Sequence, residues 1–153
     1  MTQPLYTFED FRPGDVAEYG GLVVDRDEMV EFAKEYDPQP MHVSEKAAHG
    51  SMLGELIGSG WYTTGLLMRM NCDAFLIDST SMGAPGVDSV EWRQPVRAGD
   101  RLRVRREVIS ARRSLSRSDV GIVKFVFDVL NQHDAVVMRQ VGSIMFGRRR
   151  EAA

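Results

Sequence analysis

The chain has 153 residues, 43% of them apolar and 27% charged, with a net charge of −3. That length suits one domain able to bury its own core, spanning 1–153 with loose ends at about 1–5 and 148–153. The charge balance excludes a global basic field for nucleic acid, and the single cysteine, Cys72, excludes an intrachain disulfide or a cysteine-based metal cluster. Nothing reads as a membrane span or a signal peptide, so the cytoplasm is the expected compartment.

Pro13-Gly14-Asp15 marks a turn, and Val16 to Val24 reads as a strand that bends or bulges at Gly20-Gly21. Asp25 can cap a helix from Arg26, with Met29, Phe32 and Ala33 on one face, and Pro38 ends it. Asp37-Pro38-Gln39-Pro40-Met41 is expected to be an extended loop, because two prolines oppose a helix there. Ser44 then caps a short helix through Glu45-Lys46-Ala47-Ala48.

From Ser51 to Cys72 only Glu55 and Arg69 carry charge. A helix this apolar, led by Gly58-Ser59-Gly60, is expected to be buried. Cys72 reads as a core residue rather than a nucleophile. Met52, Leu56, Trp61, Met68 and Met70 could line a tunnel, with simple core as the stronger reading.

Strand-like runs follow at Val87–Arg93, Arg101–Ser110, Gly121–Leu130 and Ala135–Phe146. Leu102, Val104 and Val108 alternate with charged neighbours, and Val123, Phe125, Phe127 and Val129 share one face. Short connections imply antiparallel neighbours. Arg148 to Ala153 is expected to be a solvated tail. Helices first and strands afterwards give an α+β class. Its simplest form is a curved antiparallel sheet wrapped around a central apolar helix, the hot-dog arrangement; a two-layer sandwich with the helix on one face is the alternative.

The chemistry-bearing residues are Asp37 and His42. A bent loop stiffened by Pro38 and Pro40 can bring both to one cavity, as acid–base catalysis requires. Gly60 follows Ser59 at a helix start, where backbone N–H groups lack helical partners and can stabilise a forming oxyanion. His49 and His133 carry no motif and read as surface or hydrogen-bonded residues. Between Arg97 and Arg117 eight arginines meet only Asp100 and Glu107. This reads as a solvated sheet face ahead of a contact with the phosphates of coenzyme A.

Phe32-Ala33, then Asp37-Pro38-Gln39-Pro40-Met41-His42, then Ile57-Gly58-Ser59-Gly60-Trp61, then Pro95-Val96-Arg97-Ala98-Gly99-Asp100, together resemble the MaoC-like dehydratase family, which includes the (R)-specific enoyl-CoA hydratases. The resemblance covers roughly residues 6–147. It implies a hot-dog fold, a homodimer, and reversible addition of water across a trans-2-enoyl thioester carried by coenzyme A or an acyl carrier protein. No metal or redox cofactor is implied. Asp37 and His42 would hold and deprotonate the water, the Gly60 N–H would bind the thioester oxygen, and Gln39, Ser59 and Trp61 would contact substrate. The pattern departs at Tyr36, where the better-characterised hydratases carry glycine, and at Gln39, where they carry asparagine. Two rival readings remain: an acyl-CoA thioesterase using Glu55, and a non-catalytic acyl-CoA-binding subunit.

Overall fold

The computed structural model describes residues 2–151. A 3-10 turn, Phe8–Asp10, precedes strand β1 (Val16–Val23) and helix α1 (Arg26–Tyr36). The Asp25 carboxylate accepts from the Glu28 N–H at 2.8 Å, capping the bare start of α1. Met29, Val30 and Ala33 form its buried face.

The stretch expected to stay extended from Asp37 to Met41 instead becomes helical at Pro40. Helix α2 (Pro40–Val43) takes Pro40 in its first turn, where a missing N–H costs nothing. His42 therefore stands on a helical turn. Helix α3 (Glu45–Ala48) follows, its Ser44 side chain accepting from the Ala47 N–H at 3.1 Å.

Helix α4 (Gly60–Asn71) runs into a π-turn, Cys72–Leu76, and then strands β2 (Val87–Trp92), β3 (Arg101–Arg113), β4 (Val120–Leu130) and β5 (Val136–Gly147) complete the described elements. The sheet order is β1-β3-β4-β5-β2, antiparallel throughout. The expected pairing of neighbours in sequence holds for β3, β4 and β5 but not for β2, which pairs with β5 at the far edge. Its connection to β3, residues 93–100, passes the two strands that separate them, β5 and β4, and Val96 within it is buried.

The sheet curls around α4 as the hot-dog arrangement requires. Leu102, Val104 and Val108 of β3, Phe125 and Phe127 of β4, and Met138 and Phe146 of β5 pack in one core with Leu66, Leu67 and Met70 of α4. Each such side chain contributes about 1.5–3 kcal/mol on burial. At the bend in β1, Gly20 and Gly21 take φ of +109° and +95°, and a Cβ on Gly20 would stand 2.7 Å from the Met70 sulfur. Glycine there lets β1 close over the helix.

Helix α4 is not buried on most sides. Trp61 is 58% and Met68 47% exposed, so one apolar stripe of the helix is left bare. Cys72, on the same side, is half-buried rather than core.

The outer sheet face carries a row of alternating charge, one residue per strand: Glu18, Arg105, Asp128, Arg139 and Glu91. Arg139 holds Asp128 through two hydrogen bonds, 2.7 and 2.8 Å. Within β3 the arginine-rich stretch thus supplies Arg105 to this face, while Arg97 and Arg117 lie in the flanking connections, paired with Glu55 and Asp119. Arg106 turns inward between Val104 and Val108, its guanidinium 4.6 Å from the Phe75 ring centroid and near Phe11, Tyr19 and Phe125. Burial lowers its pKa, and the faces of the rings offset part of that cost.

The expected tail is tied down. Arg148 donates to Glu9 and to the Ser118 carbonyl, and Arg149 donates to Asp10. Leu5 is held by its N–H on the Asp78 carbonyl at 2.8 Å. Met1, Ala152 and Ala153, part of the expected loose ends, lie outside the described residues. No helix among the described residues is long and apolar enough to cross a membrane.

Candidate active site

Asp37 closes α1. Its N–H donates to the Ala33 carbonyl at 2.9 Å, and its backbone leaves the helical region at φ −151°. Pro38 enforces that exit. The chain is then pinned at several points: the His42 N–H donates to the Gln39 carbonyl at 2.9 Å, the Ile57 N–H to the Met41 carbonyl at 3.0 Å, and the Gly58 N–H to the Val96 carbonyl at 2.8 Å. The end of α1, the lead into α4 and the β2–β3 crossover therefore meet at one place.

Asp37 and His42 are brought together there, with Oδ2 3.5 Å from Nε2. Both are largely sealed, at 15% and 7% side-chain exposure. Each carboxylate oxygen of Asp37 accepts one short hydrogen bond, Oδ1 from Gln39 Nε2 at 2.7 Å and Oδ2 from Ser59 Oγ at 2.7 Å. Burial alone would raise the Asp37 pKa, but the hydrogen bonds from Gln39 and Ser59 and the charge of His42 outweigh it and hold the carboxyl below its usual value.

The imidazole has a defined tautomer. Nδ1 lies 2.9 Å from the Ile57 carbonyl, which can only accept, so Nδ1 carries the hydrogen. In neutral His42 the Nε2 lone pair then faces Asp37. Two acceptors at 3.5 Å make no direct hydrogen bond, and both are presented to one donor standing beside the pair.

Ser59 is fully buried and caps α4, accepting from the Trp61 N–H at 3.2 Å while it donates to Asp37. The next residue, Gly60, opens the helix, and its N–H finds no acceptor among the described residues. A side chain at this position is excluded by Trp92, whose ring atoms would stand 2.5 Å from an added Cβ. A cavity of about 420 Å³ is walled by His42, Ile57, Gly60, Thr63, Trp92 and Val96 among others. Asp37 is not in this wall; it is linked to it across the gap to His42. A slightly larger hollow, about 490 Å³, lies between α1 and α4, where the Tyr62 hydroxyl donates to Glu28 at 2.8 Å; neither Asp37 nor His42 lines it.

The sequence candidates thus divide. Asp37, His42, Gln39, Ser59 and Gly60 converge. Gln39 and Ser59, expected to contact substrate, instead hold the Asp37 carboxylate, and neither lines the cavity. Trp61 lies outside the cavity wall, edge-on to Trp92 at 4.9 Å between ring centroids. Glu55 precedes α4 instead of lying on it and is bound to Arg97 at 2.5 Å. His49 and His133 are exposed. Of the methionines weighed as core, Met70 is core, whereas Met52 is 98% exposed at the cavity rim. Tyr36, the first departure from the family pattern, is 67% exposed, its ring tilted against that of Phe32 at 5.1 Å between centroids. Trp92, Thr63, Ile57 and Val96 were not singled out as site residues.

A curved sheet around a helix whose glycine-led start faces a buried Asp–His pair defines a hot-dog protein of the hydratase and dehydratase type. The chain belongs to the MaoC-like dehydratase family, whose MaoC like domain matches residues 11–126. It is similar to the crystal structure of a MaoC-like dehydratase from Rhodospirillum rubrum, with 34% identity over 95% of this chain and 99% of that one and a TM-score of 0.87. The fold is also that of the R-hydratase PhaJ1 from Pseudomonas aeruginosa, at 21% identity, 96% and 91% coverage and a TM-score of 0.74. A curated relative, the uncharacterized protein YdeM of Bacillus subtilis, is 25% identical over 140 residues, 92% of this chain and 98% of its own.

Proposed function

We propose that the chain hydrates trans-2-enoyl thioesters to 3-hydroxyacyl thioesters, or runs the reverse dehydration. The observation that carries this reading is the pair of acceptors, Asp37 Oδ2 and His42 Nε2, beside a cavity lined by His42 and by Gly60, whose N–H has no acceptor among the described residues. A water standing beside the pair donates one hydrogen to each. As its oxygen bonds to C3, Asp37 takes one proton. The electron pair of the C2–C3 double bond moves toward the carbonyl, and the enolate oxygen is stabilised at the Gly60 N–H. The enolate collapses as C2 receives a proton from the pair, with His42 helping to return it. Preorganised N–H donors of this kind lower a barrier by about 3 kcal/mol each.

No cofactor beyond the carrier of the thioester, coenzyme A or an acyl carrier protein arm, belongs to this reading. It places the protein in the cytoplasm as a single-domain homodimer, the second copy covering the bare Trp61–Met68 stripe of α4. Light scattering tests the dimer. The activity is tested by incubating the purified protein with a panel of enoyl-CoAs of different chain length and branching. Loss of the enoyl absorbance supports hydration. Release of free thiol without that loss would favour a thioesterase, and tight binding without turnover a non-catalytic subunit.

A further inference from the structure

Where β5 ends, a hollow of about 370 Å³ is walled by Gln3, Thr7, Thr80 and three successive arginines, Arg148, Arg149 and Arg150, among others. Successive residues of an extended chain point to opposite sides. Three in a row line one hollow here because the strand stops at Gly147 and the chain turns about the space.

Two of the three arginines are held in place. Arg148 donates to Glu9 at 3.3 Å and to the Ser118 carbonyl at 2.9 Å, and Arg149 donates to Asp10 at 2.8 Å. Neither Glu9 nor Asp10 lines the hollow, and among the described residues no carboxylate does. The two hydroxyls of the wall have given their hydrogens elsewhere, Thr7 to Asp10 at 3.0 Å and Thr80 to the Gly147 carbonyl at 2.8 Å. The side-chain donors left in the wall are guanidinium N–H groups and the Gln3 amide. Arg150 is exposed and its side chain has no partner among the described residues.

Each guanidinium presents a planar fork of N–H donors. A carboxylate has two oxygens to share among three forks, whereas a phosphate group brings three strongly accepting oxygens and a fuller negative charge. The hollow is remote from the hydratase site. Trp92, in the wall of the Gly60 cavity, pairs with Met138, and β5 continues from there to Gly147, about 30 Å along the strand.

We propose that this hollow is a binding site for a phosphate-bearing anion, with Arg148 and Arg149 as its fixed donors and Arg150 as the donor free to complete the set. It stands apart from the hydratase reading, and neither needs the other. The phosphate belongs to a soluble anion or to a lipid headgroup, and the test separates the two.

Calorimetry follows the binding of inorganic pyrophosphate, and co-sedimentation follows phosphatidylcholine vesicles with and without phosphatidylglycerol. The wild-type protein should bind at least one anionic probe. Arg150→Ala should weaken that binding about tenfold or more, the loss expected for hydrogen bonds to a charged group. Because Arg150 holds nothing else, this variant should melt at the wild-type temperature. Arg112→Ala removes another exposed arginine from the same end of the sheet but outside the hollow. It should leave the affinity within about twofold, since salt screens a charge that does not touch the ligand. Weakening of pyrophosphate binding by Arg150→Ala assigns a soluble anion, and weakening seen only with the anionic vesicles assigns a headgroup. Failure to bind either probe, an unchanged affinity in Arg150→Ala, or equal losses in the two variants overturns the site. Turnover of enoyl-CoA is read separately and decides only the hydratase reading.

Discussion

Gln39 Nε2 donates to Asp37 Oδ1 at 2.7 Å, two residues along the chain from the carboxylate it steadies. Its side chain is longer than the asparagine of the family pattern, and here that length closes a hydrogen bond to Asp37 rather than reaching the cavity. The bond favours the ionised carboxylate. Gln39→Ala should therefore raise the Asp37 pKa, and the acid limb of the pH–rate profile should move to higher pH. Losing one hydrogen bond of about 0.5–1.5 kcal/mol gives a loss of roughly two- to tenfold in kcat. A pH–rate profile of kcat/KM for the two proteins checks this, and an acid limb that stays in place would count against it.

Asp37→Asn and His42→Gln should each lower turnover by about 10²- to 10⁴-fold, the usual contribution of a positioned acid or base. Both variants should stay folded. Asparagine keeps an oxygen for the Ser59 hydroxyl, and glutamine keeps an N–H able to reach the Ile57 carbonyl. Circular dichroism together with the enoyl absorbance assay separates lost chemistry from lost structure.

Gly60→Ala puts a methyl group 2.5 Å from the Trp92 ring. Overpacking of this kind costs about 1–3 kcal/mol. Urea denaturation should show that loss, and Trp92→Leu in the same chain should recover part of it, because the two residues are in contact. Additive losses in the double variant would show that the ring and the helix start are independent.

On the outer sheet face, Asp128 has 7% side-chain exposure and relies on Arg139 for two hydrogen bonds. Arg139→Met strands the carboxylate, whereas Asp128→Asn leaves an arginine that is already 37% exposed. The first should cost about 1–3 kcal/mol, less than the full price of a deeply buried pair because solvent reaches the arginine, and the second distinctly less. Denaturation midpoints at neutral pH order the two.

The strands were legible because alternation with period two survives in β3, β4 and β5. Arg106 escaped the pattern, since an arginine on an apolar face is tolerated only by rings that come from distant parts of the chain. The partner of β2 was not legible either. Eight connecting residues reach up to about 28 Å, while three strand spacings are only about 14 Å, so loop length left both edges open. Pro40 misled for a local reason: proline opposes a helix interior but suits its first turn. Within the site, the Asp37–His42 pairing rested on a bent loop and on family resemblance. The Ser59–Asp37 bond joins residues 22 apart and needed the fold to appear. Trp92 carried only the signal of a strand end.

The Ser59 hydroxyl fixes Asp37, and the Ser59–Gly60 peptide bond supplies the Gly60 N–H. The spacing between base and oxyanion donor is thereby set by one residue, like a fixed gauge. Any change that moves Ser59 therefore displaces the carboxylate and the helix-start N–H together, so the two halves of the site cannot drift apart independently.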